Sequence, residues 1–140
     1  MSFKEIDIKD KEYTEGRSCI IVCNFGAKEI KLIENCAQMA GIKDIIKVSQ
    51  EYGESVVKDI IDSKELVNGS QEYRDRAIIF NNIPNNKISL FMDVLKRIKI
   101  KNVLYAVTTE VSKEWTLNEL ISNLVQERIA MRNGQPLSHS

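Results

Sequence analysis

The chain aligns with itself when it is shifted by 58 positions, and no other feature constrains its fold so strongly. Residues 20–49 fall on 78–107 without a gap. Ile20-Ile21 meets Ile78-Ile79, Asn24 meets Asn82, and the break at Gly26 meets Pro84. Ile30 falls on Ile88, Leu32 on Leu90, and Ile45-Ile46 on Val103-Leu104. Two further residues of offset bring Val57-x-x-Ile60-Ile61 onto Leu117-x-x-Leu120-Ile121. Any two strand–helix–strand units share apolar spacing, so the gapless register and the paired asparagines carry the argument for a duplication.

Each half reads as βαβα. Cys19-Ile20-Ile21-Val22-Cys23 and Ala77-Ile78-Ile79-Phe80 are continuous apolar runs, the pattern of strands buried on both faces. Ile30, Ile33, Cys36, Ala37 and Ala40 recur at helical spacing, as do Ile88, Phe91, Met92, Leu95 and Ile98. Gly41 is placed to end the first helix with a positive φ. The runs Ile45–Val48 and Val103–Val107 give two more strands, Ser55–Ile61 a short helix and Leu117–Met131 a final one. Residues 62–76 are polar, with Asn68-Gly69-Ser70 as a loop signal.

The expected fold is α/β: a three-layer α/β/α arrangement around a four-stranded, mostly parallel sheet of order 2-1-3-4, made of two βαβα halves. Residues 18–131 form one domain, with pseudo-repeats 18–61 and 76–121. A charged segment, 1–17, precedes it, and Phe3, Ile6 and Ile8 there suggest an edge strand. A flexible tail, 132–140, follows and holds the lone histidine, His139. The predicted core includes Ile20, Ile21, Val22, Ile45, Val48, Ile78, Ile79, Phe80, Leu104 and Ala106.

Twenty basic and twenty acidic residues cancel, so nothing global draws the chain to nucleic acid or to an anionic membrane. No apolar run approaches the roughly 20 residues of a spanning helix, and the N-terminus lacks the apolar stretch of a signal peptide. A cytoplasmic location is expected. Cys19, Cys23 and Cys36 are an odd set with no CxxC spacing, which points to reduced, buried thiols and to no metal.

Trp115-Thr116-Leu117-Asn118-Glu119-Leu120 is the most distinctive stretch. Thr116 and Glu119 have the spacing of a capping box, and Trp115 with Leu120 that of a hydrophobic staple. A structural role follows directly; the alternative is that Trp115 is an exposed interaction surface. With the strand end Ala106-Val107-Thr108-Thr109, these residues resemble an uncharacterised bacterial domain-of-unknown-function family over about residues 78–127. That family carries a Thr-rich turn and then a W-T-L-x-E-L helix start. Ser112 stands where its members usually have asparagine. The resemblance implies no activity.

No phosphate loop, dinucleotide fingerprint or nucleophile elbow occurs, so no catalytic residue and no cofactor is assigned. The function is not legible. The reading is a non-catalytic regulatory or protein-interaction domain, a monomer or small homo-oligomer with an unknown protein partner. The alternative is a small-molecule-binding domain or weak enzyme. The switch-point rule would put its site in a crevice at the carboxyl ends of strands 1, 3 and 4, with Asn24, Gly26, Asn82, Thr108 and Thr109 as ligand-binding candidates.

Overall fold

The computed structural model describes residues 16–69 and 73–132. The edge strand suggested around Phe3–Ile8, the tail beyond Arg132 and His139 lie outside the described residues. In chain order the elements are β1 (Cys19–Cys23), α1 (Ala27–Met39), β2 (Ile45–Val48), α2 (Val57–Ile61), β3 (Arg76–Asn81), α3 (Asn85–Arg97), β4 (Val103–Val107) and α4 (Leu117–Arg132). Short 3₁₀ turns at Gln50–Tyr52 and Ser112–Glu114 lead towards α2 and α4.

The sheet order is β2-β1-β3-β4, as the sequence implied. Side chains alternate across it and build a core on each face. Cys19, Ile21, Cys23, Ala77, Ile79 and Leu104 point to the face covered by α2 and α4. Ile20, Val22, Ile78 and Phe80 point to the face covered by α1 and α3, where Ile33, Ala37, Phe91 and Leu95 meet them. Every residue of β1 is buried, which is why that strand reads as an unbroken apolar run. Of the predicted core, Ile45 and Ala106 are only half-buried, because β2 and β4 are edge strands.

Two of the three strand pairings are parallel, as expected of a mostly parallel sheet. β1 pairs with β2 in parallel and β3 with β4 in parallel, but the central pair, β1 and β3, is antiparallel. The cause is the polar stretch after α2. Residues 62–69 retrace the helix: the Val67 N–H donates to Ser55 Oγ at 2.8 Å, and the Gly69 N–H to the Glu51 carbonyl at 2.8 Å. The Asn24 carboxamide then holds the carbonyls of Tyr73 and Asp75. The chain thus enters β3 beside the carboxyl end of β1, and β3 runs the opposite way.

The 58-residue spacing recurs in the backbone. Helices α1 and α3 are offset by 58 at both ends. Asn24 and Asn82 both take positive φ, 67° and 59°, and so do Gly41 and Lys99, 81° and 64°. Past each helix the same closing bond forms, from the Ile42 N–H to the Ala37 carbonyl at 2.8 Å and from Ile100 to Leu95 at 3.2 Å. In the antiparallel seam Ile21 lies opposite Ile79, the residue 58 positions on.

Candidate functional site

Because β1 and β3 are antiparallel, their carboxyl ends lie at opposite ends of the sheet. The five ligand-binding candidates are therefore not brought together. Asn24 and Gly26 stand at one end, Asn82, Thr108 and Thr109 at the other. The crevice expected between strands 1 and 3 requires both strands to end on the same side.

At the first end, Asn24 occupies the left-handed region that asparagine tolerates better than other non-glycine residues. Its Nδ2 donates to the Asp75 carbonyl at 2.9 Å and the Tyr73 carbonyl at 3.3 Å. Gly26 precedes α1, and its N–H donates to Glu29 Oε1. Glu29 also pairs with Arg76, whose guanidinium lies 5.5 Å from the centre of the Phe25 ring and donates to the Lys101 carbonyl.

At the second end, the organising residue is Asn81, which apolar patterning did not single out. It is buried, with Nδ2 donating to the Arg17 carbonyl at 2.6 Å and Oδ1 accepting from Thr108 Oγ1 at 2.7 Å. The doubled asparagine Asn81-Asn82 at the end of a strand was the available signal. Thr109 and Ser112 cap one another: the Thr109 N–H donates to Ser112 Oγ at 2.8 Å, and the Ser112 N–H to Thr109 Oγ1 at 3.0 Å. Ser112 thus supports the 3₁₀ turn before Trp115.

Arg17 ties this end together. It pairs with both oxygens of Asp44, at 2.6 and 2.9 Å, and donates to the Ile61 carbonyl and Ser63 Oγ at the end of α2. The Arg17 hydrogen bond holds the Asp44 carboxyl below its ordinary range.

The helix-start motif behaves as its local chemistry requires. The Thr116 N–H donates to Glu119 Oε1 at 3.0 Å, and the Glu119 N–H to Thr116 Oγ1 at 3.2 Å, which is a capping box. Leu117 and Leu120 are buried, and the half-buried Trp115 packs against the same cluster. A cleft of about 540 Å³ opens beside this turn, lined by Glu54, Val67, Tyr73, Thr116, Glu119 and Asn123 among others. Thr116 and Glu119 are committed to the capping box.

The three cysteines are free and buried. Burial raises the Cys19 thiol to about 11 and the Cys23 thiol to about 12, so neither is a nucleophile near neutrality. Among the described residues no group of three or more His, Cys, Asp or Glu could hold a metal ion. Every buried side-chain nitrogen and oxygen among them has a hydrogen-bond partner.

Residues 76–131 match a domain of unknown function (DUF3783). The matched stretch runs from the start of β3 almost to the end of α4, one βαβα half, and includes the strand-end threonines and the Trp115–Leu120 turn. No curated protein and no solved structure matches the chain.

Proposed function

We propose that the chain is a non-catalytic interaction domain that docks a protein partner along the β4 edge. The observation that carries this reading is the contrast between the two sheet edges. On β2, Lys47 interrupts the strand and pairs with Glu34, the kind of charge that discourages strand addition. β4, Val103-Leu104-Tyr105-Ala106-Val107, has no charge and no proline. It ends on the exposed apolar side chain of Val107, 54% exposed, and Val111, 65% exposed, follows it. An unguarded strand edge offers backbone groups for an added strand, and flanking apolar side chains supply its contact area.

The candidate polar groups at the strand ends support the same reading from the other side. Asn24, Thr108 and Thr109 each hold the fold's own backbone or a neighbouring side chain, which leaves them little to offer a small ligand. The internal duplication belongs with this proposal: two copies of one βαβα unit meet back to back, and the second retains the recognisable family pattern. A cytoplasmic location is part of it as well.

The test is site-specific photocrosslinking in cells from position 107 or 111, against a control position such as Lys64. A discrete protein adduct at 107 or 111, absent at the control and lost in Val107→Lys, supports the reading. Diffuse or equal crosslinking at all positions, with thermal stabilisation by a nucleotide or metabolite, overturns it.

A further inference from the structure

We infer that the end of the helical layer formed by the start of α1 and the close of α3 is a second docking surface, built for an acidic segment of a protein with interspersed apolar residues. This rests on the interaction-domain reading but uses a different surface from β4. Arg76 fixes the geometry: one side chain reaches Glu29 in the first turn of α1 and the Lys101 carbonyl after α3. That joins Lys28 and Lys31 to Lys96, Arg97, Lys99 and Lys101 at one end of the molecule. All six are exposed, and none forms an ion pair among the described residues.

Two of these cations stand where local structure disfavours them. Lys28 occupies the first turn of α1, where the helix dipole favours negative charge. Lys99 sits at φ 64°, in the left-handed region where the equivalent position of the first half has Gly41. Helix-dipole complementation accounts for Lys96 and Arg97 at the end of α3, but for neither of those.

The surface fits an acidic, partly apolar peptide better than a phosphate polymer. Leu32 and Ile98, 44% and 39% exposed, lie among the cations and would contact apolar side chains. Phe25, the nearby aromatic ring, is covered by Arg76 and is not presented for base stacking. The whole chain is neutral, and the segment around α2, which covers the other side of the sheet, carries Glu51, Glu54, Asp59, Asp62 and Glu65, which would repel a polyanion long enough to reach it.

The experiment uses the full chain and a labelled peptide of alternating acidic and apolar residues, read by fluorescence anisotropy across a salt series. Binding should weaken with salt, and Lys99→Glu/Lys101→Glu should weaken it about tenfold or more, while Lys58→Glu/Lys64→Glu leaves it unchanged. Lys99→Gly should raise the melting temperature by relieving the backbone while weakening the peptide by a few-fold, a split that a structural lysine would not show. Three outcomes overturn the inference. They are an equal loss in the control pair, tighter binding of a single-stranded oligonucleotide or of phosphatidylserine vesicles than of the peptide, or no peptide binding by the unaltered chain. None of these bears on crosslinking from the β4 edge, so the two proposals fail separately.

Discussion

Val56 and Thr116 face one another in an antiparallel bridge, the Val57 N–H donating to the Trp115 carbonyl and the Leu117 N–H to the Ser55 carbonyl, both at 2.9 Å. The two residues are 60 positions apart, and the two bonds exchange under that shift. This bridge joins the entries to α2 and α4, so the turn ahead of the last helix also holds the halves together. Thr116→Ala should cost about 1 kcal/mol through the lost cap. Trp115→Ala should cost about 2 kcal/mol, below the 3–5 typical of a fully buried ring, because the ring is half-exposed. Chemical denaturation of both variants checks the pair; a free Trp115→Ala substitution would return the side chain to the role of an interaction surface.

Gly53 and Asn118 form the tightest contact beside that bridge. The Asn118 N–H donates to the Gly53 carbonyl at 2.7 Å, and a Cβ on Gly53 would overlap the Asn118 carboxamide. Gly53→Ala should destabilise by about 1–3 kcal/mol, as overpacking does. Gly53→Ala/Asn118→Gly should recover part of that loss relative to Asn118→Gly alone, a coupling that a double-mutant cycle measures.

Asn24 has two separable contributions. Asn24→Gly keeps the positive φ and loses the bonds to Tyr73 and Asp75, whereas Asn24→Ala loses both. The glycine variant should be the more stable of the two by about 1 kcal/mol. Equal melting temperatures would show that the backbone conformation is not strained.

The Asp44 carboxyl sets a direction for acid sensitivity. Its folded value lies below the ordinary 3.8 because the carboxylate accepts from Arg17. A depressed folded value contributes stability above the unfolded pKa and loses it as pH falls through the folded one. Wild type should therefore lose more stability than Asp44→Asn between about pH 5 and about pH 3. Added salt should shrink the difference, because the pair is partly exposed.

Thiol labelling should report global opening. Cys19 and Cys23, raised to about 11 and about 12, should react with a disulfide reagent at pH 8 far more slowly in the folded chain than in denaturant. Rapid labelling of either in the folded chain would mean that β1 is not buried as described.

Much of the fold was legible because its signals are local. Continuous apolar runs marked β1 and β3, 3.6-residue spacing marked α1 and α3, Gly41 marked a helix end, and Thr116 with Glu119 marked a helix start. Each depends on residues a few positions apart. The strand order followed from pairing two βαβα halves. The direction of β3 did not, because an apolar strand reads the same in a parallel or an antiparallel pairing. That choice was made by polar contacts far apart in sequence: Ser55 with Val67, Glu51 with Gly69, and Asn24 with Tyr73 and Asp75. Those bonds send residues 62–69 back along α2 and bring residues 73–75 beside the end of β1. Once β3 is reversed, Asn24 and Asn82 part to opposite ends, and Asn81 becomes the buried link between Arg17 and Thr108. The sequence by itself determined which segments become strands and helices and in what order they lie. Only tertiary packing decided which way the second half faces, because that orientation depends on hydrogen bonds whose partners are brought together only by the folded chain.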